Sequence, residues 1–282
     1  MVLASQQLFP CRGPVRAVVG MCHGFGDHSN GSMVDVAVKL VGEGYAVLLM
    51  DVEGHGLSDG LHCCLHDVKR AAADLGEYFA DQMSSHGALR GKPFFLYGIS
   101  MGGAVAFNIS TMRECKAVQD ILTGVVLCAP MVKVSDELKP PDIVVRTLSL
   151  LARWIPLAPI TPIPNVVDRC FKDPRALQRA LEDTLTYRGQ PRLRTALAML
   201  EATDDISARM GDLRLPVLIL HGGDDTVTCP KLSAALYENC SSEDKTLRIY
   251  PGCWHEMISG EYEEQAHAVY TDMMTWMKER WA

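Results

Sequence analysis

Short runs of apolar residues recur along the chain, and segments with helical periodicity lie between most of them. The runs are AVVGMC (17–22), AVLLMD (46–51), PFFLYG (93–98), GVVLCAP (124–130), PVLILHG (216–222) and LRIYPG (247–252). The helical segments are Met33–Glu43, Asp67–Ser85 and Gly102–Glu114. Continuously apolar strands that alternate with helices are typical of a parallel sheet covered on both faces. The pattern therefore predicts an α/β fold in which helices flank a mostly parallel sheet.

One long stretch, residues 131–209, contains no strand-like run and interrupts this alternation. It holds an apolar, helix-like piece that ends among prolines, followed by a polar helical segment around 175–186. We expect this stretch to be a helical cap, inserted into a core that is formed by residues 1–130 and 210–282.

The apolar piece of the cap carries a stripe of residues at helical spacing. Its members are Ile143, Val144, Thr147, Leu148, Leu151 and Ile155. In one interpretation the stripe packs on the body of the protein. In the other it is the underside of a lid that lines an acyl pocket at the carboxyl ends of the strands. The neighbouring Trp154 would then give the cap a weak contact with a membrane surface.

The composition of the 282 residues is that of a folded protein, with 48% apolar and 22% charged residues. The net charge of −7 argues against nucleic acids and anionic membranes as charge-driven partners. No apolar run reaches about 18 residues, so we expect no transmembrane helix. The start, MVLASQQLFPCRGPVR, lacks the regions of a signal peptide. The ten cysteines have no metal-ligand spacing, which predicts reduced thiols in a cytoplasmic protein.

The segment Gly98-Ile99-Ser100-Met101-Gly102 follows a predicted strand and opens a predicted helix. In that context a G-x-S-x-G pattern is typical of a nucleophilic serine on a sharp, strained turn. A side chain two residues to either side would clash there, and the two glycines relieve that crowding. Ser100 is therefore the candidate nucleophile.

A serine nucleophile needs a general base and a carboxylate that orients the base. The segment PVLILHGGDDTVTCP ends a strand and offers two carboxylates, of which the G-x-x-D register favours Asp225 over Asp224. The segment LRIYPGCWHEMISGE ends the last strand and presents His255 after a Pro-Gly turn. Because the eight other histidines lack this placement, we expect His255 to be the base.

The oxyanion that forms when a serine attacks a carbonyl needs N–H donors. One is the backbone N–H of Met101, directly after the nucleophile. The glycine-rich loop GMCHGFGDHSNG follows an early strand and offers the N–H of Phe25 as the second donor. We expect His23 and His55, in this loop and the next, to hold the backbone rather than to transfer protons.

His62 and Asp67 have the H-x4-D spacing that occurs in some acyltransferases. The spacing recurs often by chance and lies at the start of a predicted helix. We therefore favour a structural interpretation of this pair over a catalytic one.

With these residues assigned, the chain resembles the monoacylglycerol lipase-like branch of the α/β-hydrolases. It is similar in particular to the plant members, which include caffeoylshikimate esterase and lysophospholipase-type enzymes. The resemblance covers nearly the whole chain. It rests on CHGFGDHS, GYAVLLMDVEGHGLSDG, FLYGISMGGAVA, FKDPRA, YRGQPRLRTALAML, LHGGDDTVTCP, SSEDKTLRIYPGCWHEMISGE and DMMTWMKER.

The resemblance implies the α/β-hydrolase fold with an inserted helical cap, and it implies Ser100, Asp225 and His255 as the catalytic triad. It also implies the N–H groups of Phe25 and Met101 as the oxyanion hole. Two features depart from the family pattern. Ile99 stands where many relatives have Glu or His, and the amino terminus is short, so the opening strands are expected to be trimmed.

The function that follows is hydrolysis of carboxylic esters without a metal or cofactor. We expect the small-molecule substrate to be a monoacylglycerol, which is cleaved to fatty acid and glycerol through an acyl-enzyme. Hydroxycinnamoyl esters of the caffeoyl shikimate type and lysophospholipids are alternative substrates. A small-molecule receptor that keeps an intact triad is the alternative outside the enzymes.

Overall fold

The computed structural model describes residues 1–133, 142–161 and 166–281. In this part of the chain seven strands form one sheet in the order β1-β3-β2-β4-β5-β6-β7. The strands are β1 (Ser5–Leu8), β2 (Ala17–Cys22), β3 (Tyr45–Met50), β4 (Phe94–Ile99), β5 (Leu122–Cys128), β6 (Val217–Gly222) and β7 (Lys245–Tyr250). β1 is antiparallel to β3, whereas the other neighbouring pairs are parallel. The predicted α/β fold with a mostly parallel sheet is confirmed.

Helices connect the strands and cover both faces of the sheet. They are α1 (Ser32–Gly42), α2 (Val68–Ser85), α3 (Met101–Thr111), α4 (Lys116–Gln119), α5 (Asp142–Leu151), α6 (Val167–Cys170), α7 (Pro174–Glu182), α8 (Leu193–Ala208), α9 (Pro230–Asn239) and α10 (Glu263–Lys278). Short 3₁₀ turns precede α4 and follow α8. No helix in the described ranges is long and apolar enough to cross a membrane.

The core lies in two layers because successive side chains of a strand point to opposite faces. In β4, Phe94 and Leu96 belong to the buried cluster under α2, α3, α8 and α9. Phe95 and Tyr97 belong to the cluster under α1 and α10. Burial on both faces explains why the sequence of this strand is continuously apolar.

The six strands expected from the sequence are present, each within two residues of its predicted bounds. The strand that the pattern did not predict is β1, whose sequence SQQL is short and polar. It lies at the edge of the sheet, where one partner strand suffices and a polar sequence is tolerated. The amino-terminal segment is therefore part of the sheet.

The described residues between β5 and β6 form helices α5 to α8 and no strand. The division into a core and a cap at 131–209 stays a prediction, and 134–141 and 162–165 of that cap lie outside the described residues. Within the predicted stripe, Leu148 is partly buried and lines a cavity. Ile143, Val144, Leu151 and Ile155 are exposed, so neither interpretation of the stripe describes all of it.

Candidate active site

Ser100 lies at the junction of β4 and α3, with a φ of 54° and a ψ of −120°. A positive φ is uncommon and strained for a residue other than glycine. Two hydrogen bonds hold the turn. The N–H of Ser100 donates to the carbonyl of Cys128 at 3.1 Å, and the N–H of Met131 donates to the carbonyl of Ser100 at 2.9 Å. The turn presents the serine at the carboxyl edge of the sheet, on the wall of a cavity.

The glycines on either side of the serine are required by close backbone contacts. A Cβ atom on Gly98 would lie 2.3 Å from the carbonyl oxygen of Gly102. A Cβ atom on Gly102 would lie 1.9 Å from the carbonyl oxygen of Cys22 in β2. Both distances are far below van der Waals contact, and the atoms that would be contacted belong to the rigid backbone. Any larger residue would therefore force open the turn that carries Ser100. The crowding that the sequence predicted is present.

The loops after β6 and β7 bring Asp225 and His255 together. Nδ1 of His255 donates to Oδ2 of Asp225 at 2.7 Å, and both side chains are buried. Nε2 is therefore the ring nitrogen that is left to face a substrate or nucleophile. Burial disfavours a charged imidazole, but the charge and hydrogen bond of Asp225 outweigh it and raise the pKa of His255. The geometry favours an imidazolium once a proton arrives at Nε2.

Asp225 is held by more groups than His255 alone. Its Oδ1 accepts from the N–H groups of Val227 and Thr228 at 2.7 and 3.0 Å. Its Oδ2 accepts from the Thr228 hydroxyl at 2.8 Å and lies 3.1 Å from Nε2 of His221. Burial alone would raise the pKa of Asp225, but the two histidines reverse this and hold it well below its ordinary value. The carboxylate is therefore fixed and ionised.

The neighbouring Asp224 has a different environment. It is exposed, and its N–H donates to the carbonyl of Cys253 at 3.0 Å. This bond ties the loop after β6 to the loop after β7, as expected of a turn residue.

The glycine-rich loop after β2 packs directly beside the turn that carries Ser100. A Cβ atom on Gly24 would lie 3.5 Å from the Cβ of Ser100, and both Phe25 and Met101 line the same cavity. The ring of His23 donates from Nδ1 to the carbonyl of Gly24 at 2.9 Å and accepts from the N–H of Val52 at 3.0 Å. With both ring nitrogens engaged and the pKa of His23 lowered by burial, this histidine connects two loops.

The segment between α7 and α8, residues 183–192, contacts the same loop. The N–H of Tyr187 donates to the carbonyl of Gly26 at 2.8 Å, and the Tyr187 ring contacts that of Phe25 edge to face. Nε2 of the buried His28 lies 3.0 Å from Oδ2 of Asp183. The loop with the candidate oxyanion donor is thus held from the sheet side and from the helix side.

Several of these groups line a cavity of about 870 Å³. Phe25, Ser100, Met101 and His255 are among the residues that line it. Apolar side chains from α5, α7 and α8 line much of the rest: Val145, Leu148, Ala176, Leu193, Leu197 and Leu200. A cavity of this size and lining fits an extended apolar group next to the serine.

His62 and Asp67, the pair with the H-x4-D spacing, contact different partners. Nε2 of His62 lies 3.0 Å from the carbonyl oxygen of Leu185, and Asp67 accepts from the N–H of Lys69 as the N-cap of α2. The buried His55, whose pKa is lowered to about 3 by burial, packs against the rings of His23 and Phe25. These contacts fit the structural interpretation of all three residues.

Comparison with known proteins agrees with this geometry. A model of the family described as serine aminopeptidase S33 (Hydrolase_4) matches residues 13–263. The chain belongs to this family. It is 33% identical to caffeoylshikimate esterase of Arabidopsis thaliana, over 99% of this chain and 82% of that protein. It is 27% identical to monoacylglycerol lipase of Mycolicibacterium smegmatis, over 93% of this chain and 88% of that protein.

Solved structures give the same relationship. The crystal structure of Paleococcus ferrophilus monoacylglycerol lipase superimposes with a TM-score of 0.80 at 25% identity, and covers 99% of this chain and all of that one. The predicted resemblance to the monoacylglycerol lipase-like branch and the α/β-hydrolase fold are confirmed.

Two polar contacts of this S33 family member were missed from the sequence. His221 precedes the acid by four residues and Thr228 follows it by three, and both reach Asp225 Oδ2. The position of His221 at the end of a strand, just before the turn with the acid, was the available signal. A strand-end side chain points to one face or the other, and the sequence alone did not decide which.

Proposed function

We propose that this chain is a serine hydrolase that cleaves monoacylglycerols to fatty acid and glycerol through an acyl-enzyme. The observation that carries the proposal is the 2.7 Å contact of His255 with Asp225, together with the cavity that His255 and Ser100 both line. The apolar side chains of α5 and α8 that also line this cavity support an acyl chain as the bound group.

In this mechanism Ser100 attacks the ester carbonyl while Nε2 of His255 takes its proton. The raised pKa of His255 favours the imidazolium that results, and the ionised Asp225 stabilises it. The N–H groups of Phe25 and Met101 bind the oxyanion of the tetrahedral intermediate. His255 then protonates the departing glycerol, and water repeats the sequence to release the fatty acid.

Substitution of the nucleophile tests the proposal most directly. Ser100→Ala is expected to lower ester turnover by on the order of 10⁴-fold, because no other group replaces the attacking oxygen. Turnover of 1-monooleoylglycerol by purified protein is the measurement. Residual activity within about tenfold of the parent would mean that another residue is the nucleophile.

The substrate needs a separate comparison, because the relatives carry the names of both a caffeoylshikimate esterase and monoacylglycerol lipases. Monooleoylglycerol, caffeoyl shikimate and a lysophospholipid are assayed side by side. The apolar lining supports the first of these. A strong preference for caffeoyl shikimate would replace the lipid assignment, and a single burst of product without turnover would favour a receptor.

Contact with a lipid surface is proposed for the helices between β5 and β6. Ile143, Leu150 and Trp154 are 71%, 59% and 86% exposed, which is unusual for large apolar side chains. Trp154→Ser is expected to weaken co-sedimentation with neutral phosphatidylcholine vesicles by about threefold.

The ten cysteines, all free thiols, support a reducing compartment such as the cytoplasm.

A further inference from the structure

Glu256 directly follows the candidate base, and its carboxyl group is buried in the wall of the same cavity. Its backbone is fixed on both sides. Its N–H donates to the carbonyl of Cys170 at 3.0 Å, and its carbonyl accepts from the N–H of Gly260 at 2.7 Å. The mechanism proposed above makes no use of this side chain.

A second carboxylate lies close to it. The hydroxyl of Ser259 donates to Oε2 of Glu256 at 2.6 Å, and Oε1 lies 3.4 Å from the hydroxyl of Ser32. That hydroxyl lies only 2.6 Å from Oδ2 of Asp27, so its single proton is directed to Asp27. This serine hydroxyl therefore lies between two carboxyl groups, both of which line the cavity.

The position of this pair identifies the part of a substrate that would meet it. His255 must protonate the departing alcohol, so the alcohol lies at the His255 end of the cavity. Glu256 follows His255, and Asp27 lies two residues after Phe25 in the glycine-rich loop. The acyl chain, in contrast, has the apolar side chains of α5 and α8 as its neighbours.

The charge of Glu256 depends on pH in the neutral range. Burial and the nearby charge of Asp27 raise the pKa of Glu256 to about 7, against the opposing effects of His255, Ser259 and Ser32. Below that pH the carboxyl group is neutral and can donate a hydrogen bond. Above it, two negative charges face the same end of the cavity.

Three cations among the described residues also line the cavity, but the groups with the largest effect on the pKa of Glu256 are Asp27, His255, Ser259 and Ser32. Arg179 pairs with Asp35 at 3.2 Å, with 62% of its side chain exposed. Arg169 is exposed on α6, where water screens its charge. Lys133 also borders a separate small pocket beside the end of α8 and α9.

We propose that Glu256, with Asp27, selects esters whose alcohol carries no negative charge and excludes alcohols that bear a carboxylate or phosphate. This inference rests on the proposed function and adds the charge class of the leaving alcohol. A neutral polyol offers hydroxyl groups that donate to the two carboxyl groups. An anionic alcohol would bring a third negative charge into a buried site, where like charges repel strongly.

The test uses three soluble esters with the same acyl chain. They are 1-octanoylglycerol, the 3-octanoyl ester of glyceric acid, and the methyl ester of that compound. The second differs from the first by a carboxylate in place of a hydroxymethyl group, and the third restores neutrality at similar size. At about pH 8, kcat/KM of the parent for octanoate release is expected to be about 30-fold or more higher for each neutral ester than for the anionic ester.

Glu256→Gln removes the charge and keeps an amide oxygen that accepts from Ser259. In this variant the ratio of kcat/KM for the neutral esters to kcat/KM for the anionic ester is expected to fall to about fivefold or less. Glu263→Gln, a matched change at an exposed position on α10, is the control and should keep the parental preference. A parent without the preference, or a Glu256→Gln protein that retains it, would overturn the proposal.

A measurement on the parent alone covers the case in which Glu256→Gln does not fold. Protonation of His255 affects all three esters alike, so it cancels in their ratio. The preference should fall several-fold between about pH 8 and about pH 6, as Glu256 becomes neutral. A ratio that does not change with pH would contradict the inference.

Failure of the proposed function gives a different result. In that case the parent would hydrolyse none of the three esters faster than Ser100→Ala. Ser100-dependent hydrolysis of all three at equal rates would leave the hydrolase intact and overturn only the charge selection.

Discussion

The loops at the carboxyl edge of the sheet and the helices between β5 and β6 line the same cavity but are built differently. At the edge, Ser100 is held in a strained turn, and Asp225 accepts hydrogen bonds from backbone, hydroxyl and imidazole donors. Ile143 on α5 and Trp154 in the turn after it are mostly exposed. Catalytic groups need fixed geometry, whereas an apolar pocket for an acyl chain needs only shape and surface.

The contrast predicts that substitutions at the edge lower kcat for every ester, whereas substitutions on the helices change the preference among esters. An interaction present only in the transition state affects kcat, and a contact with the bound acyl chain affects KM.

Asp225→Asn is expected to give the largest loss. The amide has no charge to stabilise the imidazolium of His255 and can hold the ring in the wrong tautomer, so kcat should fall by about 10³- to 10⁴-fold. The pKa of His255 should also fall, because the charge that raises it is gone. The pH dependence of kcat/KM for a soluble ester such as p-nitrophenyl butyrate measures both effects.

Asp224→Asn is the matched control for that substitution. Its side chain is exposed and adjacent in sequence, so activity should stay within about threefold of the parent. A large loss in Asp224→Asn together with a small one in Asp225→Asn would reverse the assignment of the acid.

His221 is expected to have a smaller effect at the same edge, as a positioning residue. It is fully buried, with Nδ1 2.6 Å from the hydroxyl of Ser233 and Nε2 3.1 Å from Asp225 Oδ2. In His221→Ala the carboxylate is less firmly oriented, so kcat should fall by about tenfold while KM changes by less than about twofold.

His221→Gln provides the control because it keeps an N–H donor near Asp225. Partial recovery of kcat in this variant would support orientation of the carboxylate. Equal losses in both variants, with lower thermal stability to match, would assign His221 to packing alone.

The edge of the sheet was easier to predict from the sequence than the helices for a physical reason. The G-x-S-x-G segment combines a buried strand, two required glycines and a helix start, and each of these constraints is visible in the sequence. The exclusion of larger residues at Gly98 and Gly102 follows from backbone distances of 2.3 and 1.9 Å. Local patterns of this kind fix local geometry.

Contacts between distant parts of the chain were not predictable in the same way. The approach of Glu256 to Ser32 joins residues 224 positions apart. The hydrogen bond of Tyr187 joins the segment between α7 and α8 to the loop after β2. Nothing in the local pattern around either residue specifies its partner. The polar strand β1 was missed because its pairing with β3, rather than its own sequence, makes it a strand.

The helices between β5 and β6 should show the smallest and most selective effect. Leu148 lines the cavity, whereas Ile143, on the same helix, is 71% exposed. Leu148→Ala removes apolar contact from the far part of a bound acyl chain, so KM for p-nitrophenyl decanoate should rise by about fivefold. KM for p-nitrophenyl acetate, whose acyl group is too short to reach α5, should stay constant.

Ile143→Ala is the matched control, since it removes a similar side chain from the outer face of the helix. Monomeric esters below their critical micelle concentration should show no change in KM for this variant, because no lipid surface is present. Equal effects of Leu148→Ala on both esters would mean that α5 acts by supporting the catalytic groups. The acyl chain would then lie elsewhere in the cavity, against Leu197 and Leu200 of α8 rather than against Leu148.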